Sequence, residues 1–279
     1  RDVERSRGLG DVYKRQSIPR ALPRVTPRRT ATLMCCRVRR AAVRHSSPAD
    51  DHALLPGAYL NASLIPPLQD AQANSGSFIV SQAPLPSTFA TFFEQLYRHR
   101  VRTLVNLTPL VEGGFQKSDM YWPESDEPFP VAEGWTVRLT ASSNEEAATV
   151  RQLRIAPTNG DVHELAQIHF EGWRDHGNLP IPEMLSLIKA VDKSQALAGT
   201  TGTPPPVWVH CSAGIGRSGT LVGALLARQL NLQRDETPGL AVAGQVTQHM
   251  RHYRPGMVQT PGQLLTLGHV VEALRALVR

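Results

Sequence analysis

Residues Val207 to Gly219 read VWVHCSAGIGRSG. A β-branched and aromatic run ends at His210, a loop of small residues follows, and from Ser218 to Leu230 (SGTLVGALLARQL) the chain is apolar nearly all round. That order predicts a strand, a glycine-rich loop and a buried helix. A loop of small residues lets successive backbone N–H groups converge on an anion, and the helix behind it adds the positive end of its dipole. Cys211 stands at the base of that field, which favours thiolate over thiol and makes it a candidate nucleophile. Arg217, six residues on, is placed to close the ring, because its planar fork holds two oxygens of a phosphoryl group where a lysine offers only a point charge. The backbone of Ser212, Ala213, Gly214, Ile215 and Gly216 is expected to line the cradle.

Outward from this stretch the chain alternates strand and helix patterns. Ser77 to Ser81, Val101 to Leu107, Trp135 to Leu139 and Pro206 to His210 are short β-branched runs bounded by turn residues, and they read as strands. Ser87 to His99 opens with a Ser/Thr cap after Pro86 and repeats Phe89, Phe92, Phe93 and Leu96 at helical spacing. Gln263 to Leu277 reads as a further helix, packed on the surface. The expected fold is α/β, a single domain with a twisted mixed central sheet flanked by helices. No internal repeat is present.

Charge divides the chain. Of a net +6, residues 1 to 50 carry 13 Lys and Arg against 4 Asp and Glu, whereas residues 51 to 279 carry 17 against 20. The basic character belongs to a tail, so the high pI does not argue for a nucleic-acid partner. Residues 1 to 47 read as a disordered basic extension, of which 1 to 16 has no periodicity and reads as non-native; residues 48 to 279 read as the folded domain. The tail's Arg, Ser and Thr content also fits a mitochondrial presequence, although Pro19, Pro23 and Pro27 interrupt an amphipathic helix. A start at Met34 would instead put Cys35 and Cys36 beside arginines, a setting for S-acylation. Three cysteines without CxxC spacing make neither a disulfide framework nor a zinc site, which favours a reducing, cytoplasmic setting. No apolar run reaches the length of a transmembrane helix.

The string HCSAGIGRSG resembles the signature of the tyrosine-specific protein phosphatases. Tyr59 to Ile65 (YLNASLI), Phe78 to Pro86 (FIVSQAPLP), Lys117 to Pro123 (KSDMYWP), Thr149 to Leu153 (TVRQL), Trp173 to Gly177 (WRDHG) and Gly256 to Gln263 (GMVQTPGQ) follow the family's order. The resemblance implies hydrolysis of phosphotyrosine through a phosphocysteine intermediate, with phosphotyrosine-containing proteins as partners and with no metal or other cofactor. It implies Asp175 as general acid and then base, Trp173 as its flanking support, Gln259 and Gln263 as the pair that positions water, and Ser218 as the hydroxyl that helps the thiolate depart. Glu112 is implied as a brace for Arg217, Lys117 as a neighbour of the acid loop, His210 as a tuner of the nucleophile, and Asn61, Ala62 and Ser63 as support for the loop. Two departures stand out. The family's W-P-D pattern has Arg174 in place of proline, which loosens the loop. The tyrosine that deepens the family's pocket is missing, its position falling near Val43 with Arg44, His45 and Ser46 after it. These departures keep two alternatives open: a phosphatase for other esters, phosphoinositide or dual-specificity, and a weakly active phosphotyrosine-binding pseudophosphatase. Against the first, Ser212 to Gly216 contains no Lys or Arg to meet further phosphates.

Overall fold

The computed structural model describes residues 59–127, 129–145, 148–197, 202–232 and 236–278. The basic tail, the Val43 position, Met34, Cys35, Cys36 and the start of the domain at Pro48 lie outside the described residues.

In chain order the elements are β1 (Ala62–Ile65), β2 (Phe78–Ser81), α1 (Phe89–Arg98), β3 (Thr103–Asn106), β4 (Val111–Glu112), β5 (Phe115–Gln116), β6 (Phe129–Ala132), β7 (Trp135–Glu145), β8 (Ala148–Pro157), β9 (His163–His169), α2 (Ile181–Leu197), β10 (Val207–His210), α3 (Arg217–Arg228), α4 (Gly239–Tyr253) and α5 (Pro261–Val278). Eight strands form one mixed sheet in the order β1-β2-β10-β3-β9-β8-β7-β6. Its centre is parallel, with β10 slotted between β2 and β3 and β3 beside β9. Its flanks are antiparallel.

The two-residue alternation of strands explains the layering. Val207 and Val209 of β10 face one core with Val80, Val105 and Ile168, under residues of α2, α3, α4 and α5. Trp208, between them, faces the other with Ile79, Leu104 and Phe92, Phe93 and Leu96 of α1. Strands buried on both faces read as continuous apolar runs, which is why β3 and β10 are legible in the sequence. His210 pairs with Ser81 on one side and Asn106 on the other, so three parallel strands end together. The carboxyl ends of such strands are where open α/β sheets bind ligands.

Four expectations need correction. The helix expected at 87–99 is α1 from Phe89, preceded by a single 3-10 turn at Pro86–Thr88. The Thr88 hydroxyl bonds the Leu85 backbone at 3.0 Å instead of capping α1. The helix expected on the surface at 263–277 is largely internal: Leu267, Val270 and Val271 of α5 are fully buried, because α3 is apolar all round and must be covered on its far side. The strand expected at 135–139 continues to Glu145, carried across a register shift near Leu139 and Ala141 by its pairing with β8. Finally, α2 and α4 join the sequence-predicted helices, α4 burying Val242, Val246 and Met250 at four-residue intervals.

Phe92 is fully buried and meets Phe93, Tyr121 and Trp208 edge to face. Phe92→Ala is expected to cost about 3–5 kcal/mol in denaturant unfolding; a loss below about 1 kcal/mol would mean that this layer does not hold α1 to the sheet.

Candidate active site

Past His210 the chain turns sharply. Gly214 has φ +69°, and a Cβ there would lie 2.0 Å from the Ser81 carbonyl oxygen, so this residue is required both by its dihedral and by the strand beside it. The turn aims the Gly214 N–H at Cys211 Sγ, 3.2 Å away. Cys211 is buried and is the one free cysteine among the described residues. The first turn of α3 follows, with Gly219 and Thr220 N–H bonded to the Ile215 and Gly216 carbonyls. The N–H groups before them have no carbonyl a turn earlier to bond.

Arg217 is only 1% exposed. Its Nη1 donates to Glu112 Oε2 at 3.2 Å and to the Trp173 carbonyl at 2.9 Å, and its Nη2 donates to Asp175 Oδ1 at 3.3 Å. Glu112 reaches both partners, since its Oε1 accepts the Asp175 N–H at 2.7 Å. This carboxylate comes from the β4–β5 hairpin, which closes through Gly113 and Gly114 at φ +60° and +80°, the conformation that tight two-residue hairpins need. Just after the hairpin, Lys117 Nζ lies 2.8 Å from Asp175 Oδ2. The loop from Trp173 to Gly177 is therefore tied to Arg217 itself, a contact the sequence did not suggest. Trp173 braces the loop from within, its ring N–H donating to the Gly177 carbonyl at 3.0 Å.

Burial alone would raise the Asp175 carboxyl. The hydrogen bond from Lys117 and the charges of Arg217, Lys117 and His176 outweigh it, and the pKa falls below the ordinary aspartate value. His210 is held neutral, pushed down to about 3, chiefly by burial; the Cys211 carbonyl opposes this and the His169 charge adds to it. Burial also raises Tyr121, so its hydroxyl stays protonated. These states set the polarity of the chain: the Tyr121 O–H donates to His210 Nε2 at 2.6 Å, leaving His210 Nδ1–H to face the Cys211 carbonyl at 3.4 Å. His210 thus contacts the Cys211 backbone.

On the far side, Gln259 and Gln263 flank Gly216: a Cβ at Gly216 would lie 2.9 Å from Gln259 Oε1 and 3.1 Å from Gln263 Nε2. Gln263 is buried and accepts the Gln259 N–H at 2.9 Å, while Gln259 is exposed. Val258, before it, is a β-branched residue at φ +57°, held by its N–H to the Ile215 carbonyl and by Arg251 on its own carbonyl. Three buried polar atoms of this ring have no hydrogen-bond partner in the protein: Arg217 Nε, Ser218 Oγ and Gln263 Nε2. Buried polar groups are nearly always paired, so these three are places where the ring's hydrogen bonding is incomplete within the protein.

Arg254 was not singled out from the sequence. It is buried, donating from Nε to the Gly214 carbonyl at 2.7 Å, from Nη2 to Ala213 at 3.1 Å and from Nη1 to Asn61 Oδ1 at 2.9 Å. Asn61 and Ser63 support the loop by way of this arginine. Tyr121 was likewise missed. Nothing local distinguishes Arg254 from a solvated arginine, whereas Tyr121 lies inside the KSDMYWP stretch and could have been read from it.

A family model described as "Protein-tyrosine phosphatase" matches residues 27–272. The human receptor-type tyrosine-protein phosphatase H is 34% identical over 227 residues, covering 80% of this chain and 18% of that protein. The human tyrosine-protein phosphatase non-receptor type 2 is 33% identical over 214 residues, covering 74% and 48%. The chain thus spans about half or less of the length of these curated relatives. The crystal structure of the catalytic domain of human protein tyrosine phosphatase non-receptor type 18 superposes with a TM-score of 0.66 at 27% identity, covering 78% of this chain and 74% of that one.

Two outcomes are expected. Gly214→Ala collides with the Ser81 backbone, and turnover should fall by at least about 10²-fold, as misplacement of the reacting geometry by an ångström does; a fall below threefold in steady-state assays would contradict the tight approach. Lys117→Met removes the bond that lowers Asp175, so the pKa rises and the acid stays protonated to higher pH. The alkaline limb of the kcat/KM profile, which reports the free enzyme, should move upward in pH; a downward or absent shift would separate Lys117 from the acid.

Proposed function

The chain belongs to the protein-tyrosine phosphatase family, and from that premise we propose that its domain, residues 48 to 279, hydrolyses phosphotyrosine in proteins through a phosphocysteine intermediate. The observation that carries this is the ring of donors around Cys211: buried, partly without protein partners, and of a polarity that suits a dianion. The N–H groups from Ser212 to Gly216 and the Arg217 guanidinium would hold three phosphate oxygens, with the α3 dipole behind them.

In the first step Cys211 Sγ attacks phosphorus in line with the tyrosine oxygen. The S–P bond forms as the P–O bond breaks, and Asp175 gives its proton to the departing phenolate. A bound dianion makes this feasible: it draws Arg217 toward itself and adds negative charge beside Asp175, both of which raise the carboxyl above its value in the free protein. In the second step a water oriented by Gln259 attacks the phosphocysteine and Asp175 takes its proton. Inorganic phosphate and the Cys211 thiolate result, with the Ser218 hydroxyl able to donate to the departing sulfur. Gln263 holds Gln259 through its backbone. A thiolate nucleophile works only where thiols stay reduced, which supports a cytoplasmic location. Among the described residues no helix is long and apolar enough to cross a membrane.

Hydrolysis of a phosphotyrosine peptide in thiol reductant with chelator tests the reading. Wild type should turn over, Cys211→Ser should not, and Asp175→Asn should lose roughly 10²-fold in kcat. Activity retained by Cys211→Ser would refute the phosphocysteine route.

A further inference from the structure

Gln259, the residue that orients the attacking water in the reading above, is exposed, so packing does little to aim its side chain. Its direction is set by the backbone that delivers it. That backbone turns through Gly256 at φ +83° and then through Val258 at φ +57°, a left-handed conformation that a β-branched side chain rarely adopts. Val258 is 2% exposed and lies against the first turn of α3, where a Cβ on Gly219 would stand 2.4 Å from the Val258 nitrogen. A strained residue persists only where its surroundings over-determine it.

Arg251, in the last turn of α4, supplies the hold. The Nε and Nη2 edge of its guanidinium donates to two successive carbonyls, Met257 at 2.8 Å and Val258 at 2.8 Å. The second carbonyl belongs to the peptide that joins Val258 to Gln259, and the N–H of that same peptide donates to Gln263 Oε1 at 2.9 Å. The peptide plane in front of Gln259 is therefore pinned at both ends. Two N–H groups side by side at a fixed spacing are what a guanidinium has and an ammonium lacks.

We infer that Arg251 is a positioning residue for the second half-reaction, setting the backbone from which Gln259 reaches the water that attacks the phosphocysteine; the inference rests on the phosphatase reading above. The first half-reaction is insulated from it. Arg251 donates to none of Cys211, Arg217 and Asp175, and the cradle has supports of its own. Arg254 takes the Ala213 and Gly214 carbonyls, and the Ile215 carbonyl, which accepts the Val258 N–H, also accepts the Gly219 N–H at 3.2 Å. Loss of Arg251 thus slows hydrolysis of the intermediate more than its formation. A cation in the last turn of a helix is also favoured by the helix dipole, but that role alone would lower stability and leave the two steps in proportion.

The test measures kcat, kcat/KM and the acid-quenched fraction of phosphocysteine with a phosphotyrosine peptide, in wild type, Arg251→Met, Arg251→Lys, Gln259→Ala and the Arg251→Met/Gln259→Ala double variant. Here kcat/KM ends at the first irreversible step, transfer of the phosphoryl group to Cys211, whereas kcat includes hydrolysis. Arg251→Met should lose about tenfold in kcat, less than the roughly 10²-fold of a full ångström's misplacement, with kcat/KM within about twofold of wild type and more phosphocysteine at steady state. Arg251→Lys, with one point donor for two carbonyls, should show the same pattern at about threefold, which keeps the test decisive should the methionine variant not fold. The double variant should be no slower than Gln259→Ala, because residues that act through one group are not additive. A parallel fall in kcat and kcat/KM, an unchanged phosphocysteine fraction, or a double variant that loses the product of the two single effects overturns the inference while leaving the phosphatase reading intact. No turnover of the peptide by wild type would remove the reading on which it stands.

Discussion

A guanidinium that cannot lose its proton sits at the centre of this fold almost wholly out of water, and a buried cation is tolerated only when it is paired and hydrogen-bonded. Arg217 is held from three directions at once, by the Glu112 carboxylate, the Trp173 carbonyl and the Asp175 carboxylate, with its Nε left without a partner in the protein. Much of the architecture around the site meets this demand. The β4–β5 hairpin exists to bring Glu112 in, and the acid loop is shaped by the same carboxylate, which holds the Asp175 N–H with its second oxygen. One acidic side chain thus holds both the Arg217 guanidinium and the Asp175 backbone, which is how a site avoids reorganising at the moment of reaction.

The sheet supplies the rigid base. Because β10 is hydrogen-bonded on both sides and buried on both faces, its end cannot drift, and Cys211 is fixed one residue beyond it. From there the glycines do what side chains would prevent. Gly214 passes over the Ser81 carbonyl, and Gly216 leaves room for the two glutamines. Arg254 closes the back of the loop by taking the Ala213 and Gly214 carbonyls, so that the loop's N–H groups face the opposite way, toward the place for an anion. A loop whose carbonyls are all engaged behind it is preorganised to bind negative charge in front.

How much of this the sequence disclosed follows from the range of each interaction. The VWVHCSAGIGRSG stretch combines a strand, a cradle and a helix in consecutive residues, and its physics is local enough to read directly. Glu112, Lys117, Asp175 and the two glutamines were reachable only because their neighbouring motifs resemble a known family, and the structure brings all of them to one place. Arg254 acts on a loop 40 residues away, and its flanks, RHYRPG, look solvated; only the fold reveals that it is buried. The burial of α5 escaped for a related reason: which face of a helix is covered depends on α3 and α4, which its own periodicity does not encode. The direct pairing of Asp175 with Arg217 is a property of three-dimensional closure, and no spacing announces it.

Covalent catalysis at Cys211 is the step on which the proposed chemistry depends. The most direct measurement is rapid acid quenching of wild-type enzyme during turnover of a phosphotyrosine peptide, followed by proteolysis and mass spectrometry of the fragment that contains Cys211. A single phosphate on Cys211, more abundant in Gln259→Ala where the second step is slowed, is the result predicted. Turnover with no phosphate on Cys211, or with phosphate on another residue, would contradict it.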